Sequence, residues 1–316
     1  MRKLRLDMTS TNHKSNVDSL RRNLLKTAAV STGGLLLNLP LSGCGGSTNA
    51  FPSPSSLSSL VLATGSFGRL ERAWNTHHQL LLTRPDGTSF TFGSASASQT
   101  DVNSPTAAAV SSDGSFWITD TGNSRLLHLS NSLQVLGSIT SIAGVRLRSP
   151  SGISMLPDGR IVVTDTGLGI AAVTDNTGSG KWFGLDVADQ ISPTWQPNWT
   201  VETNHSILDN PKAIAVSPDS SIAILDTAAK RIVLFSPNFV AVNSLLIPGN
   251  PSGLAISPNG DYYVADHFAK TVFSFNKSSP SIIKSIELPT GLTPRRLIWK
   301  TGADASINNL FISSLT

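Results

Sequence analysis

Four aspartates recur at one fixed position along this chain of 316 residues. Asp120, Asp165, Asp226 and Asp266 each lie fifteen residues after a proline. Carboxylates repeated in this way could form a ring that holds a cation or a polar ligand. An aspartate that ends a strand also caps its own turn, and identical placement in every unit favours that structural role.

Further polar side chains lie close to these aspartates in the sequence, namely Asn123, Arg125, Lys230 and His267. His267 is the most informative of them, because the other three aspartates are followed by a threonine. We therefore predict a candidate ligand face that contains both sets: Asp120, Asn123, Arg125, Asp165, Asp226, Lys230, Asp266 and His267.

A second candidate site is an aromatic-rich insertion at about residues 175–209, in the longest interval between two of the repeated prolines. It contains Trp182, Phe183, Trp195 and Trp199. Tryptophan offers a large, rigid contact surface and is enriched at binding hot spots. The insertion is thus either a binding loop over one face or a segment that packs on the outside of the domain.

Signatures of catalysis are scarce. The chain has no Gly-x-Ser-x-Gly motif, its histidines lack the spacing of a zinc site, and it has three glutamates. We predict no metal and no cofactor, and we interpret the protein as a non-enzyme in preference to an enzyme.

The elements that position these residues form a repeat. The repeated prolines are Pro105, Pro150, Pro211 and Pro251, with a degenerate fifth unit at Pro294. In the first unit Ala107–Val110, Phe116–Thr119, Arg125–Leu129 and Val135–Ile139 have the composition of short strands, separated by Asp-Gly and Asn-Ser turns. Four strands in about 40 residues are typical of a β-propeller blade.

The motif Pro-x-x-x-Ala-Val, Asp-Gly, Ile-Thr-Asp-Thr-Gly-Asn-x-Arg-Leu resembles the NHL repeat. It is clearest in 104–130 and recurs in 149–167, 210–236 and 250–276. The resemblance implies an all-β propeller over residues 57–316 whose ligands bind around a central channel. We favour six blades, with five also possible. We expect N-terminal strands at 79–82 and 89–92 to complete the last blade, because the chain ends two strands too early.

Residues 1–43 differ in charge from the rest. They hold seven of the 24 Lys and Arg residues and two of the 20 Asp and Glu residues, which leaves the remainder near −1. Arg21 and Arg22 precede a short apolar stretch, and Leu-Ser-Gly-Cys ends at Cys44, the single cysteine. These features resemble a twin-arginine signal peptide with a bacterial lipobox. Translation could start at Met1 or Met8.

The resemblance implies that residues 1–43 are removed, that Cys44 is lipidated and that 44–56 form a flexible tether. The protein would then be anchored to a bacterial cell envelope outside the cytoplasm, at the outer membrane where there are two membranes, because Gly45 follows the cysteine. The near-neutral remainder does not suggest a nucleic-acid partner.

Two functions remain open at this point. The first is a binding or scaffolding module for a protein, peptide or glycan. The alternative is a metal-dependent hydrolase or lyase, with calcium or zinc, that acts on a small cell-envelope substrate, as related lactonase and amidating-lyase propellers imply.

Overall fold

The computed structural model describes residues 29–31, 34–38, 59–73, 78–93, 101–184, 207–276, 282–288, 293–301 and 308–315. Strands and turns make up this part of the chain, apart from a short 3-10 turn at Thr121–Asn123. It contains no helix of the length and apolarity that a membrane span requires. The prediction of an all-β protein is confirmed.

The strands are numbered in chain order, beginning with β1 (Ala29–Ser31) and β2 (Gly34–Asn38). Five four-stranded antiparallel sheets, here blades 1 to 5, are each formed by consecutive strands of the described chain. Blade 1 consists of β3 (Ser59–Gly65), β4 (Gly68–Ala73), β5 (Gln79–Thr83) and β6 (Ser89–Gly93). Blade 2 consists of β7 (Ala107–Val110), β8 (Phe116–Asp120), β9 (Arg125–Leu129) and β10 (Val135–Ile139).

The connection from blade 2 to blade 3 carries a small hairpin of β11 (Ser141–Ile142) and β12 (Val145–Arg146). Blade 3 consists of β13 (Pro150–Met155), β14 (Ile161–Asp165), β15 (Ile170–Thr174) and β16 (Gly180–Phe183). Blade 4 consists of β17 (Pro211–Val216), β18 (Ile222–Asp226), β19 (Arg231–Phe235) and β20 (Ala241–Leu246). Blade 5 consists of β21 (Pro251–Ile256), β22 (Tyr262–Asp266), β23 (Thr271–Phe275) and β24 (Ile282–Glu287).

A further blade, blade 6, is composite. Its inner half is β25 (Thr293–Thr301) and β26 (Asn308–Leu315), and β2 and β1 pair onto β26 as its outer half. The expected N-terminal completion of the last blade is therefore present, but the strands expected to provide it were wrong. Residues 79–83 and 89–93 are the outer strands of blade 1, because β3 and β4 precede them and form a complete blade with them.

The first strand of each blade is its innermost one. These inner strands contact one another in the order β3, β7, β13, β17, β21, β25, and β25 returns to contact β3. The described strands therefore form a closed ring of inner strands around a central channel, which is the architecture of a β-propeller.

Tight turns connect the first and second strands of the repeated blades. Gly114 has φ 81°, a left-handed conformation that glycine adopts without strain. Asp113 accepts the backbone N–H of Ser115 through Oδ1 at 2.9 Å, which stabilises the same turn. The turn chemistry of the repeat is thus local, as its sequence indicates.

The core lies between successive blades. One cluster joins blades 1 and 2 through Leu62, Leu70, Ala108, Phe116 and Ile118, which are all buried. Equivalent clusters lie between blades 2 and 3, 3 and 4, 4 and 5, and 5 and 6. Blades 2 to 5 are consequently stabilised mainly by burying apolar surface against both of their neighbours.

Candidate functional site: the mouth of the central channel

The repeated aspartates end the second strand of blades 2 to 5, and each is at most 1% exposed. The Asp120 carboxylate accepts the Asn103 N–H at 2.6 Å, the Asn123 amide at 2.9 Å and the Arg125 Nε at 2.7 Å. Asn103 lies in the segment that leads into β7. Asp120 therefore joins this segment to the turn after β8 and is occupied by that structural role.

The equivalent aspartates make the same connection. Asp165 accepts backbone N–H groups from Arg148, Ser149 and Leu168 at 2.8–3.1 Å. Burial raises the pKa of the Asp165 carboxyl, and the hydrogen bonds from these amides oppose that effect. No arginine stands opposite Asp165, since Ile170 occupies the position that Arg125 holds in blade 2.

In blade 4 the Asp226 carboxylate accepts the backbone N–H groups of Asp209 and Asn210 and the Nε of Arg231. Arg231 is thus the counterpart of Arg125 in blade 2. Blades 2 and 4 both neutralise their buried aspartate with an arginine five residues later in the sequence.

In blade 5 the Asp266 carboxylate accepts the backbone N–H groups of Asn250, Phe268 and Ala269 at 2.9 Å. Gly249 has φ 81°, and a Cβ there would lie 1.7 Å from Oδ2 of Asp266. Only a glycine allows the backbone to approach the carboxylate this closely.

The remaining residues of the predicted ligand face, Lys230 and His267, lie in the turns of two different blades. Lys230 is exposed with φ 51°, and its carbonyl accepts the Ile247 N–H. His267 is half-buried, its Nδ1 lies 3.3 Å from the Asn250 carbonyl oxygen, and its ring contacts exposed Phe268 at a tilt of 39°. The structure therefore places these aspartates and their neighbours in individual loops and does not form a carboxylate ring in the channel.

Two of the four aromatic residues predicted for a binding loop lie elsewhere. Trp182 and Phe183 are in β16, the outer strand of blade 3, and are 8% and 3% exposed. The Trp182 Nε1–H donates to the Ile142 carbonyl at 3.0 Å, so this ring packs on the hairpin that precedes blade 3. Trp195 and Trp199 lie outside the described residues, as do Arg21, Arg22 and Cys44.

The central channel forms a cavity with a volume of about 980 Å³. Its middle is apolar, with one wall residue from each inner strand: Leu62, Ala108, Ile153, Ile214, Leu254 and Leu297. Volumes of 300–1,000 Å³ are typical of small-molecule sites. The channel can therefore accommodate the apolar part of a ligand.

The residue directly after each repeated proline lies at one mouth of this channel. These residues are Thr106, Ser151, Lys212, Ser252 and Arg295. In blades 3 to 6 the register between the first and second strands shifts at this point, as in a β-bulge. Bulges re-aim side chains at the rims of closed sheets. The alignment of the repeated prolines contains the signal for these rim residues, because each of them directly follows a proline of the repeat.

Hydroxyl groups at this mouth connect adjacent blades. The Thr106 hydroxyl donates to the Ser151 carbonyl at 2.9 Å, and the Thr166 hydroxyl donates to the Pro211 carbonyl at 2.7 Å. Ser252 donates to the Pro294 carbonyl at 2.9 Å. In blade 4 the equivalent position holds Lys212, and no described side chain donates to the Pro251 carbonyl.

The charged groups that line the channel are all basic: Lys212, Arg295 and Arg296. Lys212 and Arg295 are exposed, and the described residues provide neither with an ion-pair partner. Arg296 donates to the Thr106 carbonyl through Nη1, whereas its Nε is buried without a partner. Burial and the positive charge of nearby Arg72 lower the pKa of Arg296 to about 10.

A Ser-His-Asp group also occurs in blade 2, outside the channel. The His128 Nε2 lies 2.9 Å from the Ser115 Oγ, and this hydroxyl lies 2.6 Å from Asp113. Because burial lowers the pKa of His128, its ring is neutral at pH 7. The serine hydroxyl donates to the carboxylate, so it is not activated by the histidine as a hydrolytic nucleophile requires.

Residues 102–129 match the NHL repeat, and the geometry above shows that they span the start of blade 2. The chain is a β-propeller with an NHL repeat. A comparison of this propeller with curated proteins yields no significant match.

Solved structures with a similar fold belong to proteins of different kinds. Virginiamycin B lyase from Staphylococcus aureus is 13% identical with a TM-score of 0.57, over 81% of this propeller chain and 77% of the lyase. A gluconolactonase from Xanthomonas campestris is 15% identical with a TM-score of 0.58, over 90% of each chain. A chain of a nidogen/laminin complex is 14% identical with a TM-score of 0.59, over 83% of this chain and 92% of that one.

These identities show a shared fold alone, and the structures include both enzymes and a protein complex. The described residues of this propeller contain no group of three His, Cys, Asp or Glu side chains placed to hold a metal ion.

Proposed function

We propose that the protein is a binding module, lipid-anchored outside the cytoplasm, that takes its ligand at the mouth of the central channel. The supporting observation is that the four buried aspartates already accept hydrogen bonds from backbone amides or from an arginine. The described channel lining contains no Asp, Glu, His or Cys. The lining thus offers hydrogen-bond donors, cations and apolar surface, which bind ligands, rather than an acid–base pair.

A protein segment, a peptide or a glycan is a suitable ligand for this open mouth. The alternative, a metal-dependent hydrolase or lyase, draws support from the fold likeness to a lyase and a lactonase. That likeness is at the level of fold, which hosts many functions. The occupied carboxylates favour the binding module.

Metal analysis of the purified full chain distinguishes the two functions. We expect no stoichiometric calcium or zinc and no rise in melting temperature when either ion is added. One tightly held ion per chain, with a melting temperature that falls on chelation, would overturn the binding-module proposal. Aspartate variants are unsuitable for this test, because they remove structural hydrogen bonds.

The proposed anchor rests on the sequence of the leader. Transfer of a diacylglycerol to the Cys44 sulfur, followed by cleavage before this residue, gives a protein with more than one acyl chain, which is sufficient for stable membrane attachment. Cleavage has a structural consequence, because β1 and β2 lie within residues 29–38. It would remove the outer half of blade 6 and leave the outer edge of β26 without these partners.

Mass spectrometry of the N-terminus in protein from bacterial membranes tests this anchor. We expect an acylated Cys44 as the first residue and expect Cys44→Ala to abolish membrane attachment. A membrane-bound protein that retains residues 29–38, or unchanged attachment of Cys44→Ala, would overturn the anchor and favour a permanent role of these residues in blade 6.

A further inference from the structure

The channel mouth has a one-sided charge distribution that indicates the chemistry of its ligand. In three consecutive blades, the residues after Pro211, Pro251 and Pro294 are Lys212, Ser252 and Arg295. They stand at equivalent register positions, because each proline pairs with the end of its blade's second strand. The mouth thus presents two exposed cations at one level on either side of a serine.

A third cation lies beside this arc. Arg296 reaches from β25 to the Thr106 carbonyl in blade 2, across blade 1. Its Nε remains buried without a partner. The nearby charge of Arg72 is of the same sign, so neither guanidinium neutralises the other.

Other lining residues also hold unsatisfied donors. The Ser217 Oγ and the Trp299 Nε1 are buried without a hydrogen-bond partner among the described residues, and both residues line the channel. Buried donors without partners cost stability and mark positions where an acceptor is expected. Ser217 and Trp299 come five and four residues after Lys212 and Arg295, so these donors lie further along the channel than the charged mouth.

None of the four buried aspartates lines the channel, so the charged groups of its lining are all basic. Asp120 and Asp226 are paired with Arg125 and Arg231, and Asp266 is surrounded by three backbone N–H groups. A cleft with charges of one sign and low-dielectric walls concentrates ions of the opposite sign.

We infer that the ligand of the channel mouth carries an anionic group, a carboxylate or a phosphate, on an apolar body that extends into the channel. This inference rests on the proposed function and adds the ligand class to it. Lys212 and Arg295 contact the anionic group, and Arg296 lies beneath them. The apolar wall that includes Ile214, Leu254 and Leu297 receives the body of the ligand.

A matched pair of fluorescent dyes tests the inference. 8-Anilinonaphthalene-1-sulfonate is an amphipathic anion, and N-phenyl-1-naphthylamine is the same aromatic body without the sulfonate. Both are titrated into the full chain carrying Cys44→Ala, so that no acyl chain competes for the cavity. We expect the anionic dye to bind at least tenfold more tightly than the neutral one, with an affinity that falls as salt rises.

Three variants locate the effect. Lys212→Ser and Arg295→Ser should each weaken the anionic dye about tenfold, the usual scale of one charge-assisted hydrogen bond, and leave the neutral dye unchanged. Lys284→Ser removes the same charge from an exposed position on β24, outside the channel, and should change neither dye. Melting curves and near-ultraviolet circular dichroism confirm that each variant is folded.

Two further outcomes separate this inference from the proposed function. Equal affinities for both dyes, together with loss of both in the channel-filling variant Ala215→Phe, would overturn the anionic ligand but leave a ligand-binding channel. Binding of either dye that survives Ala215→Phe and Lys212→Ser would overturn both. Displacement of the anionic dye by decanoate or by decyl phosphate, with decanol as the neutral control, identifies which anionic group the mouth prefers.

Discussion

Blades 2 to 5 and blade 1 hold the ring together by different chemistry. In blades 2 to 5 a buried aspartate accepts backbone amides from the segment before the inner strand. Blade 1 instead buries three charged side chains in β4, namely Arg69, Glu71 and Arg72, and the Arg72 guanidinium donates to the Pro105 carbonyl in the segment that leads into blade 2. On the other side of β3, the Ser313 hydroxyl accepts the Val61 N–H.

This contrast separates the structural positions of the repeat from the variable ones. The aspartate that recurs in blades 2 to 5 is buried and bonded to the segment before its inner strand, so it stabilises the fold. Positions where one blade departs from the others have another character. At the mouth, Lys212 and Arg295 stand where other blades have a hydroxyl group, and Arg296 follows Arg295. The described residues provide no ion-pair partner for Lys212 or Arg295 and no hydrogen-bond partner for the Nε of Arg296.

The largest expected effect is in blade 1. Glu71 is 1% exposed, and its Oε2 lies 3.2 Å from the Nε of Arg69. Glu71→Leu leaves that buried guanidinium without its counter-charge, which should lower the free energy of unfolding by about 3–5 kcal/mol. Chemical denaturation measures this loss.

The double variant Arg69→Met/Glu71→Leu is its control. A well-packed apolar pair often equals a buried ion pair in stability, so we expect most of the loss to be recovered. A double variant as unstable as the single one would show that this ion pair is not the source of the effect.

The next effect concerns an aspartate of the repeated blades. Asp226→Ala removes the acceptor of two backbone N–H groups and of Arg231, and should lower the free energy of unfolding by about 3 kcal/mol. The control Asp158→Ala breaks an exposed ion pair with Arg160 and should cost less than about 1 kcal/mol. Equal losses in the two variants would contradict the structural role of the buried aspartate.

The pH dependence of the free energy of unfolding tests the environment of the buried Asp165 carboxyl. Burial raises the pKa of Asp165, so its folded form binds a proton more tightly than the unfolded chain. Stability from this group is therefore greatest below the ordinary aspartate pKa and declines as pH rises through the raised value. We expect the difference in unfolding free energy between wild type and Asp165→Asn to shrink over that interval.

Asp158 provides a control of opposite sign. Hydrogen bonds from Arg160 lower the pKa of Asp158, so its contribution is present above the ordinary pKa and is lost as pH falls. Denaturation of wild type and Asp158→Asn at several pH values should show a difference that grows with pH. The same trend in both variants would refute the assigned cause of the Asp165 shift.

The smallest effect tests the mouth as a structural element. Lys212→Ser restores the hydroxyl that blades 2, 3 and 5 have at this position and provides a donor for the Pro251 carbonyl. One net hydrogen bond contributes about 1 kcal/mol, which raises the melting temperature by about 2–4 °C in a domain of this size. A lower melting temperature in this variant would contradict the equivalence of the four positions.

Much of the fold follows from the sequence by local rules. The prolines, the Asp-Gly turns and the alternating strands predict the four strands of blade 2, and the structure confirms them. The assignment of residues 79–92 to the last blade was wrong, because strand pairing between the chain ends leaves little local signal. The hydrophobic pattern of these strands suits either blade equally well.

The candidate site depended more on tertiary structure. Spacing alone identified Asp120 and its equivalents. Asp165 and Asp266 accept N–H groups of their own turns, whereas the backbone N–H groups bound by Asp120 and Asp226 belong to the segment before the inner strand. Burial decided against a carboxylate ring, since each carboxylate faces a neighbouring loop. Trp182 and Phe183 were assigned to an insertion, but they pair in β16 because a blade requires a fourth strand.

The repeat, the turns and the all-β class can be predicted from the amino-acid sequence, because each depends on residues close together in the chain. The strands that close the ring and the side chains that meet at the channel mouth depend on contacts between distant residues, so they follow from the folded structure. Lys212 and Arg295 are far apart in sequence, and the closed ring of blades brings them to one level of a single cavity. The proline alignment shows that their positions are equivalent, but their convergence on one cavity is a property of that closure.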